Sequence, residues 1–399
     1  MSFFLGGGGK KVKPQYTGIQ VQTSSSTMAI TLLWGLNRIA PNIIWYGDFQ
    51  SHKQKEKVGK GGLVGGGVTS YTYSASIILA LCQGPIDDVY RVFRNQDKTT
   101  DFTSLGFSLF LGEVGQAPWG YLSSSHPDEA LSYSGIAYLA AANYDLGTSA
   151  ATPQHSFETG GMRYNTGPIA GGDADCAHVV NDLLTAPEWG SGFPETSIDQ
   201  DQLWSGPDAT TTGDSSFQTY CRVKGFGFSP ALSSQESAGS ILDRWSQLTD
   251  TAVVWTGYSL KLIPYGMKEV TANGYHFVPN LDPVYNLTDS DYLSEPGEPP
   301  VIISRSDPSD ANNSLKLTIN DRANEYNDAP VEWKDQGLID LYGVRQGSSI
   351  DAHEICSLVM GSTVVSLIGQ RLAYSRNNYE FLLPPGFCLL EPMDIVVVN

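Results

Sequence analysis

Across the first 170 residues, apolar and polar positions change in short steps. Runs at 18–23 and 28–33 are apolar or alternate, which fits strands. Residues 42–49 (NIIWYGDF) are aromatic and β-branched and predict another strand. Residues 52–67, HKQKEKVGKGGLVGGG, show no apolar period and cannot bury enough surface to fold alone, so a long mobile loop is expected there. A long strand resumes over 69–81, with Tyr71, Tyr73, Ala75 and Ile77 on one face. Strands on both sides of a glycine-rich stretch make a hairpin arm, at about residues 50–68. Gly84 and Pro85 mark a tight turn before a strand at 86–93 and a polar turn at 95–98. Further strands are expected at 135–144 and 156–159.

The middle changes period. Asp173 or Asp175 can cap a helix running to about Thr185, with Val179, Val180, Leu183 and Leu184 on one face and Pro187 as its stop. Ser233 and Glu236 form a capping box ahead of a second helix, at 234–250, whose Ile241, Leu242, Trp245 and Leu248 have helical spacing. A hairpin over 252–255 and 260–263 turns at Thr256 and Gly257. Residues 288–300 are acidic and proline-rich and read as an exposed linker. Strands follow at 301–304 and 315–320, helix at 340–341 and 351–367, and strands at 379–383 and 393–398. Ile355, Leu358, Val359 and Val365 are the expected apolar positions of the 351–367 helix. The last strand runs to Asn399 without a polar tail, an ending expected of one part of a longer product.

Composition supports a folded, β-rich chain. Of 399 residues, 41% are hydrophobic and only 17% charged, enough to fill a core. Gly 42, Tyr 20 and Trp 8 favour strands joined by many turns. The formal net charge is −18, which excludes a binder that works by neutralising phosphates. Residues 1–60 hold eight basic groups and two acids, a surplus of six, so the remainder carries −24. A basic amino-terminal arm on an acidic body points to contact with another acidic surface. No run is long and apolar enough for a membrane helix, and the first residues lack the order of a signal peptide. Cys82, Cys176, Cys221, Cys356 and Cys388 are odd in number and widely spaced, which fits buried thiols better than a disulfide framework or zinc knuckle.

Several constellations carry the residue types of chemistry but not its arrangement. Asp173, Asp175 and His178 could ligate a metal, yet acids at a helix start satisfy free N–H groups. Asp199 with Asp201, and Asp289 with Asp291, could serve glycoside hydrolysis only if they faced each other across a cleft. His126 and His155 lie near Asp128 and Glu158, but no nucleophile elbow accompanies them. The stretches 6–9 and 59–67 lack the lysine-serine step of a phosphate loop. Trp34, Trp45, Tyr71, Tyr73, Trp119 and Tyr121 could form a sugar or peptide platform, and fit core and interface better. The expectation is therefore no catalytic, cofactor-binding or metal residue.

Three ordered segments resemble phage tail hub and tail-tip proteins, a group that includes the host-specificity proteins of long-tailed phages and gene transfer agents. Residues 59–94 (GKGGLVGGGVTSYTYSASIILALCQGPIDDVYRVFR) look like its signature. Residues 178–266, from HVVNDLLT through Thr219-Tyr220-Cys221 to LKLIPYG, are similar to its middle. Residues 316–396, containing KLTINDRANEYNDAPVEWKDQGLIDLYGVR, resemble its last part, with Met393 where that group has a glycine. The resemblance implies a β-rich α+β fold with two tail-tube-like β-barrel domains and an inserted α/β domain. The barrels would be 1–170, carrying the arm, and 267–399, with the insert at 171–266. It further implies a homotrimer forming a pseudo-six-fold ring in the virion tail, a structural baseplate hub rather than an enzyme. The tail tube or distal tail protein, the tape-measure carboxyl terminus and fibre or spike proteins would be its partners. DNA would pass through its lumen unbound. A hub-associated cell-wall hydrolase and a receptor-binding module are the alternatives.

Overall fold

The computed structural model describes residues 29–56, 68–294 and 297–398. The expected strand at 18–23, the first residue of 28–33, the glycine stretches 6–9 and 59–67 and the lysines of the amino-terminal arm lie outside the described residues. The chain divides into two units. The first holds residues 38–162, together with 1–33 and 232–234; the second holds 34–37, 163–231 and 235–399.

The first unit is built on a long antiparallel pair. Strand Asn42–Glu56 runs against Val68–Gln83, from Asn42 opposite Ala80 to Glu56 opposite Val68. Strand structure thus continues into the segment from residue 52 onward that lacks an apolar period. Backbone pairing with Val68–Gln83 on one side satisfies alternate N–H and C=O groups, and the rest face outward from this edge strand, so that stretch is held without a buried face. The register slips twice, between Ile43 and Trp45 and between Gly47 and Gln50. At the second bulge Asp48 takes φ +51°, a conformation tolerated by aspartate better than by most residues. Ile136–Gly147 pairs on the other side of Val68–Gln83, and Ser108–Phe110 completes the four-stranded sheet. Every side chain from Tyr73 to Cys82 is buried, so this strand is covered on both faces, as its IILALC run requires.

On one face Ile78, Tyr138 and Ala140 pack with Trp119 and Leu122 of the helix Gly120–Ser125. A second sheet places Asp88–Arg94 between His155–Gly160 and Asp97–Thr99. Phe107 ties the two sheets, with its ring 4.9 Å from that of Tyr144 and 6.3 Å from that of Phe157.

In the second unit, strand Ser314–Asp321 alternates Leu315, Leu317 and Ile319 inward. It pairs antiparallel with Asn327–Lys334 and parallel with Ile350–Ala352. Helix Leu358–Tyr374 lies on this sheet. The expected helix at 351–367 is displaced: its first residues form the strand Ile350–Ala352, Ile355 is buried outside the helix, and Leu358 and Val359 are exposed. The inward face is instead Met360, Gly361, Val364, Val365, Ile368 and Gly369. A Cβ on Gly369 would stand 2.2 Å from the Trp333 ring and one on Gly361 3.3 Å from Ile319, so the two glycines set how closely the helix approaches.

Helices Cys176–Thr185, Phe217–Lys224 and Ala238–Thr249 share the same unit. Val179, Val180, Leu183 and Leu184 are buried as expected, as are Ile241, Leu242, Trp245 and Leu248. The cap of the third helix is Ser237, whose hydroxyl accepts from the Ser240 amide at 3.2 Å, rather than Ser233. Glu236 turns to Arg244, 2.8 Å away. The next hairpin, Thr251–Thr256 with Ser259–Pro264, turns at Gly257 and Tyr258.

The expected class, β-rich α+β, is borne out. The expected closed barrels are not: among the described residues the sheets have two to four strands and end on open edges. Barrel closure needs an unbroken circuit of strand pairings; the last strand, Val396–Val398, pairs with Tyr285–Leu287 only as a separate two-stranded sheet, and no circuit forms among the described residues. Four cysteines are buried, with burial pushing the Cys82 and Cys356 thiols up to about 12, while Cys388 is exposed.

His155 gives the first unit a pH dependence. Its ring packs among Phe107, Tyr144 and Phe157, and its Nε2 lies 2.8 Å from the Tyr144 hydroxyl. Burial, and then the nearby Arg94, bring its pKa down from 6.5 to about 4. The folded state thus binds this proton later than the unfolded chain, so stability is whole above 6.5 and is lost as pH falls towards 4. The loss reaches roughly 3 kcal/mol. His155→Gln keeps an acceptor for Tyr144 and does not titrate. Urea unfolding of this variant should lose most of the dependence between those two pH values, and an unchanged slope would contradict the assignment.

Candidate functional site

Arg322 is a densely bonded polar side chain of the second unit. It lies at the end of strand Ser314–Asp321, in a short 3-10 turn, Arg322–Asn324, that Asp321 caps through the Ala323 amide at 3.0 Å. The Arg322 amide donates to the Cys356 carbonyl at 3.2 Å, which fixes the base of the side chain. The guanidinium reaches four acceptors on three other segments. It donates to the Gly171 carbonyl, to the Leu36 carbonyl at 2.9 Å, to the Asp173 carboxylate at 2.5 Å and to the Ser229 hydroxyl at 3.1 Å. Ser229 in turn donates to Asp173 at 2.7 Å. Burial works against the charge of Arg322, but the adjacent Asp173 outweighs it and raises the pKa. A planar, permanently charged fork suits this place because several donors must point in fixed directions at once.

A second carboxylate, Asp175, begins its own network two residues on. It caps helix Cys176–Thr185 through the Ala177 amide at 3.0 Å. It also accepts from Arg222 at 2.8 Å and from Gln218 at 3.2 Å, with His178 3.5 Å away. Burial opposes its ionisation, yet the bonds from His178, Arg222 and Gln218 leave its pKa lowered. A third pair joins Arg244 to Glu354 at 2.5 Å, and Trp245 donates to the same carboxylate at 3.3 Å. A fourth joins Arg371 to Asp250 at 2.8 Å. Three of these four ion pairs tie residues 171–266 to residues 267–399.

The structure does not converge the residues that could have formed a metal or hydrolytic site. Asp173 and Asp175 serve different arginines, and His178, though 3.5 Å from Asp175, packs at a tilt against Trp204 with ring centroids 4.9 Å apart. Asp199 caps the short helix Gln200–Leu203 through the Gln202 amide at 3.1 Å, leaving Asp201 exposed beside it. Asp291 accepts from the Thr288 amide at 2.8 Å, and both it and its neighbour Asp289 belong to an exposed loop. His126 meets Asp48 at 3.1 Å rather than Asp128, and Tyr121 donates to the same carboxylate at 2.7 Å. Among the described residues no three His, Cys, Asp or Glu side chains converge as metal ligands. Trp34 and Tyr73 are core residues, and Trp119 and Tyr121 pack with Trp45 around Ile78. Tyr71 is half-buried on the long strand.

Among the described residues, one uncovered surface is apolar. Strands Val301–Arg305 and Asn377–Phe381 form a two-stranded ribbon that, apart from a single bridge between Leu293 and Leu382 at its end, pairs with no further strand among the described residues. One face carries Val301, Ile303, Tyr379 and Phe381. Phe381 is anchored on the buried Tyr292, 5.5 Å between ring centroids. Beyond that anchor Ile303 is 64% and Tyr379 47% exposed, and Ile302 on the other face is 53% exposed. A ribbon of two strands is marginal in water without a covering layer, and such a patch on a free edge marks an interaction surface. Two signals for these features were present in the sequence: Arg322 directly after an alternating strand, and isoleucines in a strand following a proline-rich linker.

The resemblance to phage tail proteins is borne out by comparison with known proteins. Residues 237–399 match the family described as "Putative phage tail protein". A solved chain from the "Virion of native gene transfer agent (GTA) particle" has the same fold, with a TM-score of 0.60 at 16% identity. The match covers 98% of this chain and 84% of that one. No curated protein sequence matches.

The Arg322 network predicts a large and specific cost. Arg322→Met strands the Asp173 carboxylate and two carbonyls, and should lower the unfolding free energy by about 3 kcal/mol. Arg322→Lys keeps the charge but not the fork, and should still lose about 1–2 kcal/mol. Urea unfolding followed by tryptophan fluorescence measures both. Losses below about 0.5 kcal/mol, the range of ordinary surface changes, would contradict the role given to this side chain.

Proposed function

We propose that this protein is a structural component of a phage-type tail, and that it acts as a homotrimeric hub at the end of the tail tube. The observation that carries this reading is the uncovered ribbon Val301–Arg305 with Asn377–Phe381, whose free edges and apolar face fit pairing with a neighbouring subunit. An open sheet that finds its closing partner on another copy also explains why barrels are not closed within one chain. In this reading residues 1–170 and 267–399 each supply a wall of a pseudo-six-fold ring, and 171–266 is the insert between them. The long pair Asn42–Glu56 with Val68–Gln83 is the arm that reaches the neighbour.

The charge suits a conduit. With −24 on residues 61–399, a lumen lined by Asp and Glu repels phosphate and leaves DNA no cationic trap. The tail tube or distal tail protein above, the tape-measure carboxyl terminus within, and fibre or spike proteins below are the partners of such a hub. It does this work by shape and needs no reaction of its own.

The ribbon is the place to test assembly. Ile303→Asp with Tyr379→Ser alters only exposed side chains, so the subunit should unfold at an unchanged urea concentration. Sedimentation should nevertheless move from trimer to monomer. A variant that remains fully trimeric, or a wild-type chain that stays monomeric at assembly concentrations, counts against the reading.

A further inference from the structure

The turn Glu391 to Asp394 contains a side chain in the wrong place for its backbone. Pro392 occupies the second position, and the Asp394 amide donates to the Glu391 carbonyl at 3.1 Å. Met393, third in the turn, has φ +75°. A turn of this kind calls for glycine there, because a Cβ in the left-handed region meets its own backbone. A flexible apolar side chain held at that cost implies a use for the side chain.

Met393 lines a cleft of about 460 Å³ within the second unit. Its apolar walls include Met267, Phe277, Leu281 and Ile395. Met267 is 66% and Leu281 43% exposed, so the cleft is lined but not filled. Asp199, Asp201 and Asp394 stand around it. Its lysine, Lys261, is held by Glu391 at 2.9 Å. The cleft therefore offers unbranched, adaptable methionines for a bulky apolar group and carboxylates for a cation beside it. Its ligand should combine both features in one short stretch of chain.

The amino-terminal sequence has that order. Phe3, Phe4 and Leu5 are followed by four glycines and then by Lys10, Lys11 and Lys13. We propose that the Met393 cleft is a docking site for the amino-terminal segment of a second copy of this chain, with its Phe-Phe-Leu in the apolar part and its lysines against the aspartates. The contact needs two copies but no closed ring, so it stands or falls separately from the hub. Met393 acts here as a specificity element for the docked segment.

The test uses the full chain with a benzophenone amino acid in place of Phe4. Isotopically heavy and light copies are mixed, irradiated and mapped by mass spectrometry. Crosslinks should join heavy to light chains and fall at residues 263–281 or 393–395. Met393→Gly should reduce their yield about tenfold, the factor for losing one buried methionine side chain. Its melting temperature should not fall, because glycine relieves the turn. Asp201→Lys, on an exposed residue, should weaken the crosslink as well and remove part of its salt dependence. Crosslinks elsewhere, crosslinks only within one chain, or yields unchanged by Asp201→Lys would each overturn the proposal. Weak crosslinking in Met393→Gly together with a lowered melting temperature leaves the decision to Asp201→Lys.

Discussion

One guanidinium organises the second unit. Arg322 binds acceptors near residues 36, 171, 173 and 229 while its own backbone is pinned to Cys356. These segments are far apart in sequence, and each on its own is a loop or a short strand with unsatisfied polar groups. A buried arginine among carbonyls and one carboxylate satisfies them together, and no apolar side chain could. Arg244 with Glu354 and Arg371 with Asp250 repeat the device between the same two stretches of chain. Residues 171–266 therefore join 267–399 through directional contacts rather than a broad apolar seam alone. Directional contacts fix register, as the proposed pairing of edges with neighbouring copies would require.

Periodicity made much of this fold legible in advance. Alternation identified the strand Ser314–Asp321 because its inward positions are all large and apolar. Helix Cys176–Thr185 was legible for the same reason, since an acid, a four-residue apolar face and a proline frame it. Helix Leu358–Tyr374 was misplaced because two of its packing positions are glycines, Gly361 and Gly369, which carry no hydrophobic signal. Its large residues Leu358 and Val359 instead point outward. The extension of strand Asn42–Glu56 through a lysine-rich stretch was equally hidden, because pairing with Val68–Gln83 holds it and side-chain burial does not. Ser237 displaced Ser233 as a cap within a run of serines that local sequence could not rank.

The polar networks were the least legible part. Asp173 and Asp175 were visible as a pair, but their assignment to Arg322 and Arg222 depends on contacts 149 and 47 residues away. Spacing reports neighbours along a helix or strand and is silent on partners brought together by the tertiary fold. The same limit applies to His126, whose carboxylate is Asp48 at a strand bulge and not the nearby Asp128. The uncovered ribbon was legible as strands but not as a surface, since only the fold shows which strands lack a covering layer.

These features give a chain joined internally by arginine networks, with an apolar ribbon left uncovered among the described residues. Its arginines settle the internal geometry, while its apolar ribbon and the Met393 cleft face outward. In the proposed function the covering layers are other copies of the chain, which together would close a ring. Electron microscopy of the purified assembly tests this most directly. Class averages along the axis should show a three-fold annulus with an open centre. Particles of a single chain, or an assembly whose centre is filled by protein, would contradict it.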